Sequence, residues 1–423
     1  MRNLTIWSAL LGIENTVVES VDFDPEAQAL VACVRPRRAA RGRCGVCGRR
    51  SPWFDRGEGR RRWRALDLGV VRVWLEADAP RVECAVHGPT VRAVPWARHH
   101  AGHTLAFDDQ VAWLATQCSK SAVTTLMRIA WRTVGAIITR VWADTEKRHD
   151  RFAGLRRIGI DEISYKKHHH YLIVVVDHDT GRLVWAAPGR DRKTLAAFFE
   201  ALGPDRCAQI SHVSADGADW VSAVVAQHCP EAVLCADPFH VVKWATDALD
   251  EVRRQAWNDA RRAGHTASHG HGRVYASGPA KALKRARYAL WKNPENLTGR
   301  QQAKLAWIAK TDPRLYRAYL LKEGLRLVFS LPYDQAVEAL GRWVSWARRC
   351  RIPAFVHLQR RIVIYQDSIL AAIQHGLSNG RIESVNTKIR LITRVAFGFR
   401  SPQALIALAM LSLGGHPPIL PGR

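Results

Sequence analysis

Long hydrophobic runs are missing from this sequence, and no stretch approaches the roughly 18 consecutive apolar residues that a membrane-spanning helix needs. The N-terminal segment reaches Glu14 early and has no small-residue cleavage site, so it does not resemble a secretory signal. Nine cysteines in 423 residues are too few and too unevenly spaced for a disulfide framework. These absences argue against a membrane protein and predict a chain of the reducing cytoplasm, whose cysteines are free to bind metal.

Acidic residues are also scarce: 38 Asp and Glu stand against 63 Lys and Arg, which gives a formal net charge of +25 at pH 7. Such an excess is typical of proteins that bind a polyanion, and without a membrane segment nucleic acid is the favoured partner. Hydrophobic residues make up 47% of the chain, which is ordinary for a folded protein. At roughly 100–200 residues per domain, the length predicts two to four domains.

Two residue pairs in the first hundred residues have the spacing of a zinc site: Cys44-x-x-Cys47 is followed, after two strand-like runs, by Cys84-x-x-His87. Such pairs suit tetrahedral zinc, because each forms a tight knuckle and the strands bring the knuckles together. The alternative is a redox pair at Cys44 and Cys47 with the later residues incidental, but the turn at residues 78–80 favours zinc. Residues 1–100 are therefore predicted to be a zinc-binding module, and its many arginines suit phosphate contacts.

Apolar residues recur at helical spacing throughout residues 101–150, which predicts three consecutive helices. Breaks near Ser119 and Trp131 suit a helix-turn-helix. In that arrangement the third helix presents Arg132, Thr133 and Arg140 to DNA. A small helical spacer would show the same periodicity, but the position between a zinc module and an acid-bearing region favours DNA binding.

The hydrophobic pattern changes at residues 151–240, where it predicts the order strand, strand, strand, helix, strand, helix, strand. This order predicts the mixed α/β sheet of a ribonuclease H-like fold. Asp161 ends the first strand run, Asp216 follows the fourth strand and Asp237 follows the fifth. Carboxylates at neighbouring strand ends can hold two divalent cations about 3.5–4 Å apart, as phosphoryl transfer requires. Each acid alone could instead simply end a strand or cap a helix.

Residues 241–375 are basic and helical in pattern, which predicts a large helical insertion before the core resumes at residues 376–415. A Gly- and His-rich stretch within it, with His265, His269 and His271, predicts a polar surface loop.

The resumed core begins at a turn, Asn379-Gly380, and continues as a helix with Glu383 in its first turn. Glu383 could be only a partner of the positive helix end, but a third metal ligand is needed at this position. Three basic residues of the same helix can reach DNA phosphates: Lys388, Arg390 and Arg394.

The zinc pattern and four further motifs resemble the ISL3 group of bacterial insertion-sequence transposases over nearly the whole chain. These motifs are DEISYKKHHHYLIVVVD, SADGADW, ADPFHVVK and SNGRIESVNTKIRLITRVAFGFR. The resemblance implies a DDE transposase with a ribonuclease H-like core. It also implies that Mg²⁺ or Mn²⁺ serves the cleavage and transfer of DNA strands at the terminal inverted repeats of the element, beside a structural Zn²⁺.

Carried onto this sequence, the resemblance makes Asp161 the first catalytic acid and Glu383 the third. Strand order favours Asp216 as the second acid, so that Asp161, Asp216 and Glu383 are the Mg²⁺ ligands. The competing assignment gives the second place to Asp237. In the favoured assignment, Asp237 and His240 of the DPFH motif support the metals. Relatives often have cysteine where this chain has a histidine as its fourth zinc ligand, and either residue suits zinc.

The expected partners are double-stranded DNA, both terminal inverted repeats and target DNA, and further copies of the chain, since cutting two ends requires at least a dimer. The expected location is the bacterial cytoplasm, at the nucleoid. Two alternatives remain at this point: a catalytically inactive, transposase-derived DNA-binding regulator, and a ribonuclease H-like nuclease without strand transfer. The predicted architecture is thus multi-domain α/β, with a zinc-binding module and a helix-turn-helix before a mixed-sheet core that carries a helical insertion.

Overall fold

The computed structural model describes residues 3–166, 168–266 and 278–422. The chain divides into two compact units: residues 1–150 with 392–423, and residues 151–391. No helix in the described ranges is both long enough and apolar enough to cross a membrane. Of the predicted Gly- and His-rich loop, His269 and His271 lie outside the described residues.

The N-terminal unit contains two small sheets rather than one zinc module. A four-stranded sheet has the order β1-β2-β5-β4, and a three-stranded sheet has the order β3-β6-β7. Alternate residues of β5, among them Val73 and Leu75, point into a core with Trp63 and Trp96, which explains the alternating pattern. The elements are α1 (Asn3–Leu11), β1 (Thr16–Asp24), β2 (Ala29–Pro36), β3 (Trp53–Asp55), β4 (Arg60–Arg64), β5 (Arg72–Asp78), β6 (Arg81–Cys84) and β7 (Gly88–Val91).

Three helices follow, as predicted: α2 (Leu105–Gln117), α3 (Lys120–Met127) and α4 (Trp131–Arg148). Side-chain caps define two of their starts, since Thr104 accepts a hydrogen bond from the Phe107 amide and Ser119 accepts one from Ala122. Arg128, in the left-handed conformation at φ 53°, ends α3. The apolar faces of the three helices are buried, which accounts for the helical spacing.

The second unit is built on a five-stranded mixed sheet of order β10-β9-β8-β11-β12. Strands β8 to β10 are antiparallel, whereas β11 pairs in parallel with both β8 and β12. The predicted sequence of strands and helices is confirmed, with one additional short helix, α6. The elements are β8 (Arg157–Lys166), β9 (His170–Asp177), β10 (Leu183–Pro188), α5 (Arg192–Leu202), α6 (Pro204–Cys207), β11 (His212–Ala215), α7 (Asp219–His228) and β12 (Val233–Ala236).

The region predicted to be a helical insertion contains helices and no strand in its described residues. Its core is formed by the apolar faces of the long helices, including Leu249, Leu325, Leu340 and Phe355. The helices are α8 (Pro238–Thr266), α9 (Gly278–Lys284), α10 (Arg287–Trp291), α11 (Gly299–Thr311), α12 (Pro313–Val328), α13 (Tyr333–Arg349), α14 (Pro353–Ile364) and α15 (Gln366–His375).

The C-terminal helices are divided between the two compact units, and the assignment of residues 376–415 to the core stays a prediction. Helix α16 (Gly380–Val395) begins in the second unit, but α17 (Pro402–Leu413) packs against α4 and α2 in the N-terminal unit. Leu405, Leu408 and Leu411 of α17 are buried there. Apolar composition alone does not reveal which surface a helix covers, so the sequence could not assign α17.

Candidate active site and metal sites

Three acids stand at the same level on three neighbouring strands. In the parallel ladders, Ile160 of β8 pairs with Ala215 of β11, and Ala215 pairs with Ala236 of β12. The next residue on each strand is an acid: Asp161, Asp216 and Asp237. Parallel strands present such positions along one edge, so the register gathers the three carboxylates into a cluster. Asp161 does not end its strand as predicted, since β8 continues to Lys166.

His240 lies between two of these acids. It occupies the first turn of α8, and its Nδ1 atom is 2.7 Å from Asp216 Oδ1 and 2.6 Å from Asp237 Oδ2. Burial opposes the charged imidazole, but the two carboxylates outweigh it and raise the pKa of His240 to about 10. The sequence-predicted support pair, Asp237 and His240, is therefore in contact with the predicted second acid.

Asp161 is a largely buried carboxylate on which its neighbours act in both directions. Burial and the nearby Asp216 carboxylate raise the pKa of Asp161 to about 6. Its Oδ2 atom accepts a hydrogen bond of 2.6 Å from Asn386 Nδ2 on α16, and its Oδ1 atom accepts one from the Glu162 amide. A carboxylate in this setting gains from a neighbouring cation.

A divalent cation fits this cluster on the chemistry of its donors. Among the described residues, one ligand atom each from Asp216, Asp237 and His240 lies within 4.8 Å of the other two. Asp216 Oδ1 is buried, and its partner among the described residues is His240 Nδ1 at 2.7 Å. Carboxylate oxygens are the ligands that hard divalent ions prefer, and a cation here would take the place of the positive charge that His240 now supplies.

Glu383 stands beside this group rather than in it. Its amide donates to the Asn379 carbonyl (2.8 Å) in the first turn of α16, and its side chain is exposed. Asn386, one turn further along the same helix face, contacts Asp161. The structure thus places Glu383 one helical turn before the residue that contacts Asp161, with its own side chain exposed.

A buried polar chain that sequence reasoning missed attaches α16 to the sheet. Ser214 of β11 donates to Asn379 Oδ1 (2.7 Å), and His178 Nε2 lies 2.6 Å from the Ser214 hydroxyl. The Asn379 amide donates to Asp237 Oδ1 at 3.2 Å. Burial and Arg381 lower the pKa of His178 to about 4, so it is neutral near pH 7. The Asn379-Gly380 turn was visible in the sequence, but its buried partners were not.

The four predicted zinc ligands come together in the N-terminal unit. Cys44, Cys47, Cys84 and His87 have ligand atoms within 4.8 Å of one another, with 3.7 Å between Cys47 Sγ and Cys84 Sγ and 3.6 Å between Cys84 Sγ and His87 Nδ1. A tetrahedron with Zn–S bonds of about 2.3 Å has edges of about 3.8 Å, so the spacing fits zinc.

Local backbone groups prepare these thiols for metal. Amide groups of Val86 and His87 lower the pKa of Cys84 to about 6, which favours the thiolate that zinc binds. The Val46 amide donates to Cys44 Sγ at 3.4 Å. Gly48 adopts φ 71°, a conformation that favours glycine and lets the knuckle close.

The predicted DNA-contacting residues of α4 differ in their surroundings. Arg132 is exposed and Thr133 is half-buried in the first turn of the helix. Arg140, by contrast, donates from Nε and Nη2 to Asp108 of α2, at 2.9 Å each. Its guanidinium joins α4 to α2, and its contact with DNA stays a prediction. Lys388, Arg390 and Arg394 of α16 are exposed, as predicted.

Removing the Asp108 carboxylate is expected to destabilise the N-terminal unit by about 3–5 kcal/mol, because Asp108 is fully buried and faces both Arg98 and Arg140. Urea unfolding of Asp108→Ala measures this loss. Arg140→Ala is the matched control and should cost clearly less, since Arg98 remains to pair with Asp108. Equal stability of Asp108→Ala and the parent protein would contradict a structural ion cluster.

The three parts now described are those of an enzyme that rearranges DNA: a four-ligand ribbon, a helix-turn-helix and a mixed sheet with clustered acids. Residues 40–87 match the zinc-finger of transposase IS204/IS1001/IS1096/IS1165, and residues 92–142 match the helix-turn-helix domain of transposase family ISL3. Residues 158–409 match the transposase domain of ISL3.

Whole-chain comparisons agree. The chain is 65% identical to the transposase for insertion sequence element IS1557 of Mycobacterium tuberculosis, over 100% of this chain and 98% of that protein. It is 28% identical to the transposase for insertion sequence element IS1001 of Bordetella parapertussis, over 81% of this chain and 82% of that protein. The chain belongs to the ISL3 family of transposases. It is therefore a DNA transposase, with a helix-turn-helix that binds DNA.

Proposed function

We propose that this transposase cuts DNA at the terminal inverted repeats of its insertion sequence and joins the ends to target DNA, in a ribonuclease H-like core. The observation that carries the proposal is the row of acids on β8, β11 and β12. The sheet order, with three antiparallel strands followed by two parallel ones, supports a core of this type.

Asp161, Asp216 and Glu383 are the proposed ligands of Mg²⁺ or Mn²⁺. Bound ions of this kind activate water, and later a DNA 3′-hydroxyl, and stabilise the leaving oxygen. For Glu383 to take part, its exposed side chain turns from the first turn of α16 toward Asp161, on the face that Asn386 already occupies. Asn386 holds the Asp161 carboxylate in place for this role.

Burial separates the two candidates for the second acid. The side chain of Asp237 is only 2% exposed, and its two oxygens accept hydrogen bonds from the backbone amide of Asn379 and from His240. The side chain of Asp216 is 36% exposed. We therefore assign Asp216 to the metals and Asp237 to the support of His240 and α16. If Asp216 coordinates a metal ion, its contact with His240 is released, and His240 Nδ1 is then free to give or take a proton.

This assignment predicts unequal effects of two isosteric substitutions. Asp216→Asn should lower the rate of DNA cleavage by about 10³-fold, as loss of a direct ligand does, and Asp237→Asn by about 10–100-fold, as loss of a supporting group does. Single-turnover cleavage of end-labelled DNA measures both. A larger loss in Asp237→Asn would reverse the assignment.

Recognition of the ends is assigned to the N-terminal unit. Arg132 and Thr133 of α4 are the proposed contacts of the helix-turn-helix, and a zinc ion at the four ribbon ligands stabilises the ribbon. An open cleft beside the ribbon is lined by Arg38, Arg41 and Arg50, which suit the phosphate backbone. Lys388, Arg390 and Arg394 are further proposed phosphate contacts. The working complex contains at least two copies, on DNA of the bacterial nucleoid.

One assay tests the function against its two rivals. Purified protein is incubated with Mg²⁺ and labelled DNA that carries the ends of the element, and both nicked and joined products are scored. Cleavage with joining supports the transposase, cleavage without joining favours a nuclease, and binding without cleavage favours a regulator. Glu383→Ala should abolish both products. Cleavage by this variant at the parent rate would remove Glu383 from the active site.

A further inference from the structure

The second catalytic acid is followed by a glycine that the helical region encloses from three sides. We propose that Trp244 of α8, Arg361 of α14 and the following Tyr365 are positioning residues that hold Gly217 and thereby fix Asp216 for metal binding. This inference rests on the proposed function, because it concerns the ligand role of Asp216.

Two side chains hold the same backbone oxygen. Arg361 Nη2 donates to the Gly217 carbonyl oxygen at 3.0 Å, and the Tyr365 hydroxyl oxygen lies 3.2 Å from the same atom. The single proton of the Tyr365 hydroxyl is shared between this carbonyl and the carboxylate of Asp219, the first residue of α7. Burial and Asp219 raise the pKa of Tyr365 to about 12, so the hydroxyl keeps its proton at neutral pH.

The indole ring of Trp244 covers the third side. A Cβ atom on Gly217 would lie 2.6 Å from both Cζ2 and Cη2 of Trp244, which no side chain tolerates. Gly217 is not in the left-handed region, so it is this close approach that requires glycine. The Arg361 guanidinium carbon lies 3.6 Å from the centre of the Trp244 ring, a cation–π contact that joins the enclosing groups to one another.

Asp216 needs such support because its strand is short. β11 has four residues and ends at Ala215, so Asp216 and Gly217 lie beyond the ladder. His240 contacts the Asp216 carboxylate, and Trp244 lies four residues later on the same face of α8. One helix face therefore meets both the carboxylate and the backbone that follows it. The helical region therefore forms one wall of the proposed active site.

The first experiment removes the two hydrogen bonds without removing bulk. The double variant Arg361→Gln/Tyr365→Phe should bind Mn²⁺ at least about tenfold more weakly than the zinc-loaded parent chain, measured without DNA by calorimetry, and should cleave at least about tenfold more slowly. DNA affinity and the urea midpoint serve as structural readouts and should change little. Arg360→Gln, which alters the exposed neighbour of Arg361, is the matched control and should leave Mn²⁺ affinity unchanged.

A size exchange provides an independent test. Gly217→Ala should weaken Mn²⁺ binding because the new methyl group meets the Trp244 ring. Trp244→Phe removes the Cζ2 and Cη2 atoms, so Gly217→Ala/Trp244→Phe should recover most of the lost affinity. If Trp244, Arg361 and Tyr365 had only a structural role, these variants would change in stability and keep the Mn²⁺ affinity of the parent.

The outcomes separate the two proposals. One outcome is that the parent protein cleaves DNA and Asp161→Asn weakens Mn²⁺ binding, yet Arg361→Gln/Tyr365→Phe and Gly217→Ala bind Mn²⁺ as tightly as the parent. The positioning role is then overturned and the proposed function stands. If the parent protein cleaves nothing and its Mn²⁺ binding does not depend on Asp161, the proposed function fails, and the positioning role fails with it.

Discussion

Asp161→Asn is expected to lower DNA cleavage by about 10⁴-fold, because it removes the negative charge of the first acid and keeps its shape. The remaining side-chain oxygen can still accept from the Glu162 backbone amide, and the new amide nitrogen can donate to Asn386 Oδ1 once the Asn386 amide turns over, so the sheet and α16 should keep their positions. Single-turnover cleavage with Mg²⁺ measures the rate, and the same samples show whether joined products disappear in parallel.

The control for this experiment is the adjacent acid. Glu162 forms an ion pair with Arg190 and is not part of the acid row. Glu162→Gln should therefore retain cleavage within about tenfold of the parent rate. Cleavage by Asp161→Asn at a similar level to Glu162→Gln would remove Asp161 from the active site.

Cys84→Ser is expected to abolish stoichiometric zinc binding and, with it, the fold of the ribbon. Structural zinc contributes about 10–16 kcal/mol of apparent binding free energy in small zinc domains, far more than a three-stranded sheet of this size can replace. Elemental analysis gives the zinc content, and binding to inverted-repeat DNA should fall in parallel. Cys84 is the most informative ligand to replace, since backbone amides already favour its thiolate.

Two variants make the zinc result specific. Cys33→Ser changes a cysteine outside the four-ligand group and should keep one zinc ion per chain. His87→Cys should also keep zinc, because tetrahedral zinc accepts either ligand. Full zinc content in Cys84→Ser would mean that the ion, if present, is bound elsewhere.

Local patterns in the sequence predicted the elements and most of the grouping of the site residues. The order of strands and helices in the second unit followed from hydrophobic periodicity, because each strand buries at least one face. The grouping of Cys44, Cys47, Cys84 and His87 followed from their x-x spacing, since a knuckle is a local structure. The strand-following acids Asp216 and Asp237 were predicted because parallel strands share an edge, and the structure places them in contact with His240.

What the sequence did not predict depends on which surfaces meet far along the chain. The Ser214–Asn379 hydrogen bond joins residues 165 positions apart, and the Tyr365–Gly217 bond joins residues 148 apart. Arg140 is indistinguishable in the sequence from an arginine that binds DNA, until the buried Asp108 appears beside it. The contact of Trp244 with Gly217 likewise has no local signature in the sequence.

The strands next to the two proposed acids, Asp161 and Asp216, differ greatly in length and pairing. Asp161 lies within a ten-residue strand and pairs with Val174 of β9, with five more residues of β8 beyond it. Asp216 follows a strand of only four residues. Local opening should therefore be rare at the first acid and more frequent at the second. The fraction of time for which the site is complete is then set by the second acid, and amide exchange at residues 216–219 should report it.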